Sequence, residues 1–150
     1  MIKLLKTNKI TTAVFLFILS ISFLLVFSIY TSPIYKNSYG YDPSFFQMVG
    51  FAMTKGYIPY RDFFDMKGPY LFFIEYISQF LCPGKMGCFI IQIISLFVTF
   101  ELVLMICKIQ NSKINIVKEF ILLIPFLFVF SYTIDGGNLT EEYSLPFIFL

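Results

Sequence analysis

The sequence predicts an all-α integral membrane protein: transmembrane helices joined by a large first extracytoplasmic loop that holds two interfacial amphipathic helices. Two observations carry this. Of the 150 residues, 58% are hydrophobic and 13% charged, with mean hydropathy +0.81, more apolar surface than a soluble domain of this size can hide. The apolar residues also fall in long runs separated by short polar stretches. The net charge of +2 gives no reason to expect a nucleic-acid partner. The chain has no His, so any acid–base chemistry falls to carboxylates, Lys or Tyr.

Lys3, Lys6 and Lys9 precede Ile10–Tyr30, 21 residues without a charge. As a helix this run spans roughly 31 Å, about one hydrocarbon core. A cleaved signal peptide starts in the same way. The run is long for one and lacks a small-x-small end, so an uncleaved helix entering from the cytoplasm is the reading adopted.

The stretch from Tyr39 to Pro69 follows, with Asp42, Asp62, Asp65, Arg61 and Lys67 among Tyr, Phe, Gly and Pro. Asp42-Pro43 reads as a helix start, with the acid as N-cap and Pro at the first helical position. Phe45, Met48, Val49, Ala52 and Met53 then form one apolar stripe, stopped by Gly56. At about 12 residues this helix is too short to span and suits the interface. Gly68-Pro69 opens a second apolar run to Cys82, with Glu75 and Gln79 on one face. It could span or lie flat. Lying flat keeps Lys108, Lys113 and Lys118 cytoplasmic, as lysine asymmetry prefers.

Cys88–Cys107 is the second predicted membrane helix, with Glu101 as its one charge, read as a helix–helix contact. A third is predicted over 116–134, and a fourth begins at Tyr143. This topology puts six basic residues against Glu119 inside, and five against seven acids over residues 31–87 and 135–142 outside. The expected location is the cytoplasmic membrane, multi-pass, with a cytoplasmic N-terminus. The last apolar run stops eight residues after Glu142, so the chain is expected to be the N-terminal portion of a longer polytopic protein, inactive alone. Cys82 and Cys88 flank a short turn and could form a disulfide if it is extracytoplasmic. Asn138-Leu139-Thr140 matches the N-glycosylation sequon, a short and frequent motif.

Each candidate functional residue has a plainer reading. Asp42 is a base at the membrane surface, or a cap. Lys67, just before a helix start, meets a phosphate, or snorkels to water. Arg61 holds a phosphate, or pairs with Asp62 or Asp65. Glu141 and Glu142 are working carboxylates, or stabilise a helix N-terminus capped by Thr140.

Tyr41-Asp42, Tyr60-Arg61-Asp62 and Lys67-Gly68-Pro69, in that order after one helix, resemble the first outer loop of the GT-C membrane glycosyltransferases. The protein O-mannosyltransferases and the aminoarabinose transferase of lipid A are the nearest groups. Asn138 to Pro146 resembles their second acidic motif. The resemblance implies inverting transfer of a sugar from a polyprenyl-phosphate donor to an extracytoplasmic acceptor glycan, lipid or protein. It implies Asp42 as catalytic acid residue, Glu141 or Glu142 as second carboxylate, and Lys67, with Arg61 and Tyr60, at the lipid phosphate. A divalent metal near Asp42 is a further implication. Several relatives have two adjacent acids there, whereas Pro43 follows Asp42 in this chain. The competing expectation is a non-enzymatic polytopic membrane protein, such as a transporter piece or assembly factor.

Overall fold

The computed structural model describes residues 9–110 and 116–150, and it is helical throughout, with no strand among the described residues. Six helices follow in order: α1 Lys9–Phe27, α2 Tyr41–Thr54, α3 Pro69–Leu81, α4 Lys85–Gln110, α5 Ile116–Thr133 and α6 Thr140–Ile148. Two of them, α1 and the Lys85–Ile109 part of α4, are long and apolar enough to cross a membrane by length and composition.

The helix boundaries follow local chemistry. Glycine and proline punctuate α3: Gly68 is extended at the N-cap and Pro69 takes the first position, where its missing N–H costs nothing. Gly56, at φ 91°, lies just beyond the end of α2. The start of α2 differs from expectation. Gly40, not Asp42, is the N-cap, and Ser44 N–H closes the first turn onto Gly40 O at 3.1 Å. Asp42 therefore stands inside the first turn with its side chain exposed, and Pro43 still falls where the amide has no helical partner. The start of α6 differs too: Leu139 is the N-cap, and the buried Thr140 hydroxyl caps nothing.

Helix α4 is the central post, touching α1, α3, α5 and α6. One apolar core lies between α1, α4 and α5, built on Leu16, Leu24, Leu96, Phe100, Leu123 and Phe130. A second, smaller core of Phe46, Leu71, Ile74 and Tyr143 joins α2, α3 and α6. Helices α2 and α3 approach closely at Gly50, where a methyl group would collide with the Glu75 backbone. Lys113, Lys118 and Glu119, used in the charge tally, have no described side chains.

Candidate functional site

The candidate site lies where the loop after α1, the start of α2 and the start of α6 meet. What brings them together is the segment 135–138, Asp-Gly-Gly-Asn, which runs through four successive left-handed residues: Asp135 φ 40°, Gly136 φ 82°, Gly137 φ 90°, Asn138 φ 64°. Glycine is needed at its centre twice over, for the backbone and for space. A methyl group on Gly136 would strike the Tyr30 ring, and one on Gly137 would strike the Ser28 hydroxyl. The close approach lets Tyr30 N–H donate to Gly136 O at 2.8 Å.

Asn138 then faces inward. Its side-chain amide donates to Pro43 O at 3.5 Å, across 95 positions of sequence, and its Oδ1 accepts the Tyr143 hydroxyl at 2.5 Å. Its own N–H goes to Glu142 Oε2 at 3.0 Å. The same oxygen accepts Gln92 Nε2 from α4 at 2.6 Å, and Gln92 Oε1 in turn accepts Ser28 Oγ at 3.2 Å and Thr31 Oγ1. One chain of polar contacts thus ties α1's end, α2, α4 and α6 together. Reaching back from the third helical position, Glu142 takes the N–H of Asn138, one residue ahead of the N-cap N–H that a capping-box glutamate takes. Its other oxygen, Oε1, is buried without a partner. Burial raises its pKa to about 7, against the Gln92, Asn138 and Leu139 donors, which pull it down.

The adjoining surface holds a cleft of about 180 Å³ lined by Tyr30, Gly40, Tyr41, Asp42, Pro43, Asp135 and Leu139. Asp42 and Asp135 are its two acids. Among the described residues no three His, Cys, Asp or Glu side chains converge as metal ligands. Two carboxylates are fewer protein ligands than calcium takes, whereas magnesium is commonly held by one or two carboxylates together with waters and substrate phosphates.

The other expected residues divide. Glu141 is exposed and does not line the cleft, while Glu142 is buried. Lys67 is half-buried and its ammonium lies over the Phe46 ring, 5.9 Å from the centroid, one helical turn along α2 from Asp42. The cation thus reaches the α2 side of the seam. Arg61 is engaged by its neighbour, with Nε on Asp62 Oδ1 at 2.9 Å and Nη2 on Asp62 Oδ2 at 2.7 Å. The guanidinium holds Asp62 down to about 2, helped by the Ile58 N–H. Tyr60 spends its hydroxyl on Lys67 O at 2.5 Å, at a left-handed φ of 65°. Asp65 Oδ1 accepts Lys67 N–H at 2.7 Å. These residues hold the turn that presents Lys67. Lys55 also lies over α2, at its far end on the Phe51 ring, so Lys67 is the cation placed over the first half of that helix.

Three buried residues that the sequence did not point to as site residues complete the region. Gln92 looks like one polar residue in an apolar helix, and its role shows only through its partners. Ser78 and Cys88 are the others: both donate to Glu75 Oε2, each at 3.3 Å, leaving Glu75 Oε1 buried and bare. Burial raises Glu75 to about 7, with Cys88, Asn138 and Ser78 opposing. Cys82, Cys88 and Cys107 are all free thiols, so the turn between Cys82 and Cys88 is held otherwise: Gln79 Oε1 accepts Gly84 N–H at 2.7 Å. The Asn138 side chain is fully buried and hydrogen-bonded, which takes it out of reach as a glycosylation acceptor. Glu101 lies at the opposite end of α4, in a cleft of about 460 Å³ with Lys9 and Lys108.

No protein-family model matches the chain, and no curated protein or solved structure matches it either.

Proposed function

We propose that the chain is a multi-pass protein of the cytoplasmic membrane with a cytoplasmic N-terminus, and that its outer end is the donor side of a GT-C-type sugar transferase. The observation that carries the reading is the seam itself. Tyr41-Asp42 and Leu139, from two of the stretches that carry the resemblance, line one cleft, and the neighbouring Asn138 amide is tied to Pro43 O, although they lie far apart in sequence. The Lys67 ammonium over Phe46 adds a cation on the same helix pair.

In this reading the reaction is a direct displacement. The acceptor hydroxyl attacks the anomeric carbon of a polyprenyl-phosphate-linked sugar. The bond from that carbon to the phosphate oxygen breaks, and its electron pair leaves with the polyprenyl phosphate. The acceptor's proton passes to Asp42, exposed in the cleft. Lys67 offsets the charge of the leaving phosphate. Asp135 shares the cleft with Asp42 and takes the place at the surface that Glu141 and Glu142 do not occupy.

Two measurements test this. A polyprenyl phosphate carrying a photoreactive group should label the protein in vesicles, and Lys67→Ala should reduce the labelling about tenfold while Lys55→Ala leaves it, since a single charge-assisted contact is worth roughly 1.5–3 kcal/mol. In membranes where the parent protein supports sugar transfer from the lipid-linked donor, Asp42→Asn should abolish it at unchanged protein level. Normal transfer by Asp42→Asn would overturn the assignment of Asp42.

A further inference from the structure

Helix α3 is inverted. Its carboxylate, hydroxyl and amide, Glu75, Ser78 and Gln79, all point into the protein, where they are 0%, 0% and 4% exposed. Its outward face carries Tyr70, Phe73, Phe80 and Leu81 at helical spacing, with Phe73 56% and Phe80 72% exposed. No charge or amide lies on that face. A helix in contact with water arranges itself the other way round. The outward tip of the preceding turn is equally apolar, with Phe64 and Met66 78% and 96% exposed.

A protein partner would account for one such face. The same inversion recurs on α4, which buries Gln92 and Thr99 and exposes Ile90, Ile94 and Val98. α1 shows it in part, burying Thr12 and Ser20 while exposing Val14, Phe17 and Ile18. Apolar surface on three differently facing elements calls for a medium rather than a partner. In hydrocarbon the polar side chains gain by turning inward to meet one another, as they do here.

We propose that the outward face of α3 is seated in the acyl chains of the bilayer, so that the α2–α3 hairpin is layered, with α3 beneath and the start of α2 above it at the water. The proposal rests on the membrane reading above and goes beyond a pair of helices lying level at the interface. It makes the Tyr70–Phe80 stripe the lipid contact, and it places the Asp42 cleft on the aqueous side of the same hairpin.

The absence of tryptophan from the chain makes the test direct, because each introduced indole is the sole reporter of its kind. Phe73→Trp, Phe80→Trp, Tyr41→Trp and Ile18→Trp variants of the full chain are reconstituted in phosphatidylcholine vesicles with brominated acyl chains. Ile18, exposed on α1, reports whether the protein is in the membrane. Phe73→Trp and Phe80→Trp should be quenched by bromine at least roughly twofold more than Tyr41→Trp, as expected for a face buried about 5–10 Å into the acyl boundary. Tyr41→Trp should instead be quenched by aqueous iodide. If Ile18→Trp is quenched by bromine but Phe73→Trp and Phe80→Trp respond to iodide, the layered hairpin is wrong and the membrane reading stands. If neither quencher reaches positions 73 and 80, a protein surface covers α3 and the proposal is equally overturned. If Ile18→Trp is not quenched by bromine, the membrane reading itself falls.

Discussion

Glu142 and Glu75 are buried carboxylates that each use one oxygen and leave the other bare. Each accepts hydrogen bonds from neutral donors, which offset only part of the desolvation of a charge. Both are therefore raised to about 7. For an acid the sign runs as follows: raised folded pKa values mean that the native state retains protons which the unfolded chain gives up between about 4.5 and 7. Stability is then greatest below that window and falls as pH rises through it. Thermal unfolding in detergent, followed by helical circular dichroism, should show a lower Tm at pH 8 than at pH 5. Glu75→Gln and Glu142→Gln should each flatten this dependence and raise stability at pH 8 by roughly 1–3 kcal/mol. Stability that rose from pH 5 to pH 8 would mean that both carboxylates are charged and compensated in the fold. Glu142→Ala is a different case: it strands Gln92 Nε2 and Asn138 N–H in the interior and should cost about 1–3 kcal/mol at any pH.

At the scale of elements, the helices were legible because their signals are local. Apolar runs, Gly68-Pro69 and Gly56 set the limits of α1, α3 and α2 to within a few residues. The seam was not legible, because it depends on partners 50 and 95 positions apart, Gln92 with Glu142 and Asn138 with Pro43. The caps misled for a related reason. Asp42 and Thr140 are good capping residues, but Gly40, two residues before Asp42, and Leu139, just before Thr140, take the extended cap conformation instead. Asp-Gly-Gly-Asn is a run of turn-forming residues, but nothing local in it says that the turn would be pressed against Tyr30 and Ser28. Gly137→Ala tests its importance. Left-handed backbone costs alanine about 1–2 kcal/mol, and the collision with Ser28 Oγ adds to it. The variant should lose at least that much stability, and proteolysis should cut first near residue 135. Gly50→Leu should likewise part α2 from α3 and cost about 1–3 kcal/mol or more, since its neighbour there is Glu75 backbone, which cannot rotate away. If either variant melts like the parent, the close approach at that position is not part of the fold in solution.

Across the whole molecule, polarity is organised from outside to inside. The bundle buries Glu75, Gln79, Gln92, Thr99 and Glu142 between helices and shows isoleucine, valine and phenylalanine to its surroundings. That arrangement gives the membrane reading a consequence at the length of α4. With 26 residues, α4 is about 39 Å long, more than the roughly 30 Å hydrocarbon core, so in the proposed topology its two ends emerge on opposite faces. Lys85 opens the helix and turns back to the loop after α1, donating to Lys36 O at 3.5 Å and to Ser38 O. Lys108 closes it, beside the start of α1. In the proposed topology the excess of lysine around Lys108 puts that end in the cytoplasm. In a background with Cys82, Cys88 and Cys107 replaced by Ala, Lys85→Cys should react with a membrane-impermeant maleimide added to intact cells. Lys108→Cys should react only after the membrane is opened. Reaction of both from outside would mean that α4 does not cross. The reverse pattern would turn the protein over and place the Asp42 cleft in the cytoplasm, out of reach of any extracytoplasmic acceptor.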